Sequence, residues 1–308
     1  MAERVLVTGA TGLIGRRVVA SLVREGAAVH ALVRDPARAG VLLPGATLFP
    51  WDATAGEPPA AAFAGVDAVV NLAGESIARR WSASRKRALR ASRIDGTRAL
   101  VVALHAMPRP PTVLVQASAV GIYGDRGDEE LGEDAAPGSG FLAELCRDWE
   151  AEAAAAAGFD VRVVLVRTGL VLAPEGGPLG KLVTPFRLGV GGRLGSGRQF
   201  MPWIHIVDQV GLVRLALGNG TVRGPLNAAA PGIVRNSDFT RALASALHRP
   251  ALLPAPAAAL RLVLGEMAGE LLLSGQRVLP TRALAAGYQF RFPELRPALE
   301  DLLAAPRT

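Results

Sequence analysis

Three glycines carry the strongest chemical signal in this sequence. Gly9, Gly12 and Gly15 stand three residues apart in Gly9-Ala10-Thr11-Gly12-Leu13-Ile14-Gly15, directly after the strand-forming run Arg4-Val5-Leu6-Val7-Thr8. The spacing meets three separate needs. Gly9 permits a tight turn, Gly12 lets the backbone approach a pyrophosphate, and Gly15 lets the following helix pack closely on a sheet. The free N–H groups at the helix start, around Thr11, Leu13 and Ile14, then offer an anion site. This combination implies a bound nicotinamide dinucleotide.

The next strand ends in Val33-Arg34-Asp35, which bears on which dinucleotide. An acidic residue there accepts from a ribose 2′-OH, whereas an arginine pairs with a 2′-phosphate. Arg34 can bind that phosphate bidentately and stack on adenine, with Arg16 and Arg17 nearby, so NADP(H) is expected. Asp35 keeps NAD(H) open as the alternative. Asp52, after a third strand, is placed to accept from the adenine amino group, although an ordinary loop aspartate reads the same way. After a fourth strand, Asn71-Leu72-Ala73-Gly74 offers small residues against which the adenosine ribose can lie.

The elements needed to position these groups are legible as alternating strand-length apolar runs and helix-period segments. Strands are expected at about 4–8, 28–33, 47–50, 67–72, 112–118 and 160–167. Helices are expected from Leu13 to Glu25, stopped by Gly26, from Ser82 to Ala106, and from Ser139 to Gly158. Helical patches follow at 207–217, 236–247 and 257–273, then a strand at Tyr288–Phe292 and a helix at Pro293–Leu303. The fold class is therefore α/β, a Rossmann-type doubly wound parallel sheet with a smaller C-terminal lobe. Residues 1–170 form the expected dinucleotide domain, with segments at about 200–230 returning to it. Residues 171–308 form the substrate-side lobe and C-terminal domain.

Composition narrows the function classes. The 308 residues are half apolar, yet no run reaches the roughly 18–20 continuous apolar residues of a membrane span. No signal-like segment precedes the first strand, and Cys146 is the sole cysteine, so a reducing cytoplasm is expected and a disulfide framework is excluded. His30, His105, His205 and His248 lie too far apart to form a local metal signature, so no metal is expected. The net charge of +7 comes almost wholly from arginine, Lys86 and Lys181 being the only lysines. The densest basic run, Arg79 to Arg98, lacks the interleaved aromatics and groove-reading motifs of nucleic-acid binders. It reads as a solvated helix face from which a few arginines reach an anionic ligand. The expected partner is a small molecule.

With these residues in view, the sequence resembles the short-chain dehydrogenase/reductase superfamily in its extended, atypical branch, and most of all its epimerase-like subfamily 39U. The likeness runs through Thr8–Gly15, Asn71-Leu72-Ala73-Gly74-Glu75, Ser118-Ala119-Val120-Gly121-Ile122-Tyr123-Gly124, Phe200-Met201-Pro202-Trp203-Ile204-His205-Ile206 and Asn227–Pro231. It ends in a part similar to the family's C-terminal domain of unknown function, with Ser274–Pro280. The resemblance implies NADP(H) chemistry and cofactor contacts that include Arg93 and Arg167. It also implies dimerisation through the two long helices, 82–106 and 139–157; a monomer is the alternative.

The resemblance also exposes a break. The superfamily transfers protons with a Tyr-x-x-x-Lys pair, the lysine lowering the phenol's pKa, and adds a serine and an asparagine. Here Ser118 matches the serine, but Phe141 stands for the tyrosine, Leu145 for the lysine and Arg93 for the asparagine. Neither Tyr123 nor Tyr288 has a lysine four residues on. Ser118 and Tyr123 are the catalytic candidates, with Glu144 considered beside them, and Glu75, Trp203 and His205 the expected substrate pocket. Trp81 and Trp149 are stacking surfaces or core. Two functions follow: an NADP(H)-dependent oxidoreductase or epimerase on an unknown substrate, or a catalytically silent dinucleotide-binding sensor or interaction protein.

Overall fold

Seven strands carry the architecture: β1 (Arg4–Thr8), β2 (Ala28–Val33), β3 (Ala46–Pro50), β4 (Ala68–Asn71), β5 (Val113–Ala119), β6 (Arg162–Thr168) and β7 (Gly224–Ala228). In the computed structural model, which describes residues 3–304, they form one sheet in the order β7-β6-β5-β4-β1-β2-β3. Every pairing is parallel, with Val5 opposite Val29 on one side and Ala68 on the other. Parallel strands are covered on both faces, which is why they read as continuous Val/Leu runs. The two-residue period then sorts the side chains. Val5, Val7, Val113, Val115, Val164 and Val166 enter one core, whereas Leu6, Leu114 and Leu165 enter the other.

The first core packs against α1 (Leu13–Arg24), α6 (Gly177–Arg187), α7 (Ile206–Gly218), α8 (Asn236–Ala246) and a C-terminal helix, Leu295–Leu303. The second packs against α4 (Gly96–His105) and α5 (Phe141–Ala154). Leu295, Ala298, Leu299 and Leu302 thus share one core with Val5 and Val7, and the hydrophobic core runs straight across residue 170. Strand β7 also joins the sheet's edge from beyond that position.

The chain runs from β1 outward to β2 and β3, then crosses back over to β4 on the other side of β1, so the strand order reverses between β1 and β4. This switch point lies at the C-terminal ends of β1 and β4, the place where open α/β sheets form the crevice that takes their ligands.

Three expectations need correction. The helix over 82–106 is divided into α3 (Ala83–Arg90) and α4 by a π-type turn at Ala91–Asp95, which carries Arg93. The helix over 257–273 breaks at Gly265, whose φ of +65° ends α9 (Ala257–Leu264). No strand forms at 288–292. The amides of Arg291 and Phe292 donate instead to the buried Asp208 carboxylate, at 2.8 and 2.9 Å, and Tyr288 donates to it at 3.2 Å. No helix among the described residues is long and apolar enough to cross a membrane.

Candidate functional site

The glycine loop lies between β1 and α1, and each glycine answers to a different steric demand. Gly9 adopts φ +61°, and a Cβ there would fall 2.5 Å from the Leu72 carbonyl oxygen. At Gly15 a Cβ would fall 2.3 Å from the Gly9 carbonyl oxygen, so the helix packs on the turn with no room for a side chain. Gly12 differs. It is the N-cap of α1 with extended backbone, makes no side-chain cap, and an added Cβ would meet only the Gly9 carbonyl oxygen, at 3.1 Å. The first turn of α1 also contains no acidic side chain. Its N–H groups and the positive end of the helix dipole remain available to an anion.

Across the switch point the ends of β1 and β4 are tied by one hydroxyl. Thr8 donates to Asn71 Oδ1 and accepts from the amides of Leu72 and Ala73, each at 3.1 Å. Asn71 in turn donates to Thr97 and Gln116, at 3.0 and 2.8 Å. This buried network fixes Leu72-Ala73-Gly74 beside Gly9.

At the far end of β2, Arg34 is largely exposed and lies 3.7 Å from Glu75, which also pairs with Arg85 at 3.0 Å. Glu75, expected in a substrate pocket, is thus brought to Arg34. Asp35 caps the short helix Pro36–Leu42 by accepting from the Arg38 amide at 3.1 Å. Asp52 accepts from the Thr54 amide and hydroxyl at 2.9 and 2.7 Å, and these bonds, with Arg34 assisting, hold its pKa below the ordinary carboxylate value.

Behind the crevice the catalytic candidates meet a different fate. Ser118 donates to Glu150 Oε1 at 2.6 Å, and Arg167 grips the same carboxylate bidentately, at 2.9 Å to each oxygen. Arg167 also donates to the Tyr123 hydroxyl and to the Glu133 carbonyl, both at 3.0 Å. Tyr123 donates to Asn227 at 2.7 Å and has no exposed surface. Burial raises its pKa further from neutrality, Arg167 opposing. Tyr123 is therefore a buried strut and not the free catalytic group expected of it. Arg167, expected at the cofactor, is buried and spent on Glu150; burial works against its charge, but the Glu150 bonds more than compensate and raise its pKa. Ser118 spends its hydroxyl proton on Glu150 in this arrangement and is 4 % exposed.

Trp203 and His205 are also corrections. Both are 1 % exposed and lie in the core instead of a pocket. Trp203 donates to the Gly232 carbonyl at 2.8 Å. His205 caps α7, its Nδ1 accepting from the Val207 amide at 3.1 Å, so the ring proton sits on Nε2, 3.3 Å from Asp301. Its ring stacks on Phe292, and burial lowers its pKa. Glu144 is exposed and pairs with Arg90 at 3.3 Å. Trp81 and Trp149 are core residues, and Trp149 donates to Thr97 at 2.9 Å. Phe141 packs edge-on to Trp81 with Lys86 4.7 Å over its ring, and Leu145 is buried. Neither position offers a proton.

The family profile described as the NAD dependent epimerase/dehydratase family matches residues 5–229, and a domain of unknown function, DUF1731, matches residues 255–302. This chain belongs to that epimerase/dehydratase family. The bovine epimerase family protein SDR39U1 is 41% identical over 98% of this chain and 100% of its own. The crystal structure of the human epimerase family protein SDR39U1 (isoform 2) with NADPH superposes with a TM-score of 0.85 at 39% identity, covering 97% of this chain and 99% of that one. A nucleoside-diphosphate sugar epimerase from Corynebacterium glutamicum gives a TM-score of 0.80 at 35% identity, over 98% of this chain and 58% of that one.

In this member of the epimerase/dehydratase family, sequence reasoning missed Glu150, Asn227 and Glu270. Glu150 left a trace, because it sits on the otherwise apolar stripe Leu142, Leu145, Cys146, Trp149, Ala153 of α5. A charge on a buried stripe demands a partner, and Arg167 interrupts the Val/Leu run of β6 for the same reason. Cys146 on that stripe is inert, its thiol pushed up to about 12 by burial. Glu270 left none. Its carboxylate accepts from the amides of Phe141 and Leu142 at 2.9 and 2.8 Å, capping α5 from a segment over a hundred residues away.

Proposed function

We propose that this chain is an NADP(H)-dependent oxidoreductase or epimerase acting on a small molecule. The observation that carries the reading is the uncapped start of α1, where Gly12 leaves room for a pyrophosphate and the first helical N–H groups have no acidic side chain to meet them. The NADPH in the human relative's crystal structure supports the choice of cofactor. Gly9, Thr11, Gly12, Leu13, Ile14 and Gly15 would hold the pyrophosphate, and Val33 and Arg34 the adenosine 2′-phosphate. Asp52 would meet the adenine, and Leu72, Ala73 and Gly74 the ribose. Asp35 capping a helix, with Arg34 exposed beside it, favours NADP(H) over NAD(H).

The bound nicotinamide would supply a hydride donor or acceptor. This chain's own residues would position it and shield it from water. They offer no tyrosine–lysine pair for proton transfer, since Phe141 and Leu145 fill those places by the family likeness, and the Ser118 hydroxyl is directed at Glu150.

A second reading, a dinucleotide-binding sensor without turnover, is favoured by the same commitments: the hydroxyls of Ser118 and Tyr123 are engaged in the fold, and His205 is buried with its Nδ1 capping α7. NADPH carrying stereospecific label at C4, offered with a panel of carbonyl compounds and nucleotide sugars, separates the two. Label in any product establishes the oxidoreductase. Strong thermal stabilisation by NADPH with no transfer across the panel supports the sensor.

A further inference from the structure

Within the basic run, Arg85, Lys86, Arg90 and Arg98 each have a carboxylate partner. Arg79, Arg80 and Arg87 are exposed to water. Arg93 alone in this run is partly buried and has no carboxylate partner among the described residues. Its guanidinium donates to the Glu75 carbonyl at 2.9 Å and weakly to that of Leu89 at 3.4 Å. It lies 5.1 Å from the Trp149 ring and occupies the space a Cβ on Gly74 would need, at 3.1 Å.

The arrangement is rigid. Trp149 is held by Thr97, and Thr97 by Asn71, so the floor under Arg93 belongs to the network that fixes the end of β4. Two of the guanidinium's five donors are used, and both acceptors are neutral carbonyls. Burial pushes its pKa down, with Cys146 and Glu75 opposing and Arg85 adding to it. A partly buried, uncompensated cation is costly to keep and gains most from an incoming anion.

We propose that Arg93 binds an anionic oxygen group of the substrate, a carboxylate or a phosphate, at the crevice beside Gly74. The proposal rests on the dinucleotide reading above, in which the start of α1 and Arg34 already match the cofactor's phosphates. The anion that Arg93 meets therefore belongs to a second ligand. A planar fork suits either group, since both present paired oxygens.

The test uses the full chain saturated with NADPH. Inorganic phosphate and malonate are titrated separately at constant ionic strength, with malonamide as the uncharged control, and the melting temperature is followed. Wild type is expected to show a saturable rise with one anion or both, the stronger response naming the class, and none with malonamide. Arg93→Gln is expected to weaken that response at least tenfold while its NADPH dissociation constant stays within threefold. Arg93→Lys keeps the charge but loses the fork, and is expected to weaken it about fivefold; it carries the test if Arg93→Gln does not fold. The proposal is overturned if neither anion stabilises wild type, or if both variants respond as wild type does. It is also overturned if the variants lose NADPH affinity tenfold, which would make Arg93 a cofactor residue. Failure of wild type to bind NADPH would overturn the dinucleotide reading instead.

Discussion

Replacing Gly12 and Gly15 by alanine, one at a time, should separate ligand binding from folding. At Gly12 the backbone has φ −73° and ψ 173°, open to any residue, and the new Cβ meets one atom at 3.1 Å. Losing glycine at an N-cap costs up to about 1 kcal/mol, and stiffening the unfolded chain returns about 0.4–1 kcal/mol. The apo melting temperature should move by about 2 °C or less. The methyl, however, stands where the pyrophosphate must approach. Overpacking of about 1–3 kcal/mol corresponds to a loss of about 5- to 150-fold in NADPH affinity. At Gly15 the Cβ would fall 2.3 Å from the Gly9 carbonyl oxygen and 2.8 Å from the Ala10 Cα, both backbone atoms that cannot rotate away. That variant should lose about 3 kcal/mol of stability or fail to fold. Scanning fluorimetry of the apo proteins and NADPH fluorescence titration read the two effects independently. A Gly12→Ala protein that binds NADPH as tightly as wild type, or a Gly15→Ala protein that melts with it, would refute the assignment of the loop.

Arg34→Ala should weaken NADPH binding about tenfold, the low end for a charge-assisted pair because Arg34 is 73% exposed, and leave NADH binding within about twofold in parallel titrations. Glu150→Ala strips the buried Arg167 of its counter-ion and should cost about 3–5 kcal/mol in urea unfolding, whereas Tyr123→Phe should cost about 1–2 kcal/mol and leave any label transfer from NADPH intact. His205 has its folded pKa lowered by burial below the ordinary value of 6.5, so the unfolded chain takes up the proton first. Its contribution to stability is complete above about pH 6.5 and is lost as pH falls through the folded value; His205→Gln should flatten that part of the melting-temperature profile between pH 7.5 and 5.

The residues legible at the candidate site were those whose role depends on near neighbours. Gly9, Gly12 and Gly15 lie within one turn, and Arg34 lies just past the end of β2, so their placement follows from local sequence. Tyr123, Arg167, Trp203 and His205 misled because their types suit chemistry while their surroundings were invisible. Tyr123 is engaged by Asn227 and Arg167 by Glu150, both distant in sequence, Trp203 donates to the Gly232 carbonyl, and His205 is buried and accepts through Nδ1 from the helix it caps. The absent strand at 288–292 has the same origin, since Asp208 supplies the acceptors that a neighbouring strand would have given.

The sequence by itself determined the parallel sheet, the glycine loop between β1 and α1 and the absence of any Tyr-x-x-x-Lys pair. Periodicity, glycine spacing and the identity of Phe141 and Leu145 are local properties of the chain. Only the tertiary structure decided which polar side chains face a ligand and which are consumed in holding the fold. Burial and hydrogen-bond partnership depend on elements brought together across a hundred residues, and for that reason Arg93 emerges as the uncompensated cation while Ser118 and Tyr123 do not emerge as free catalytic groups.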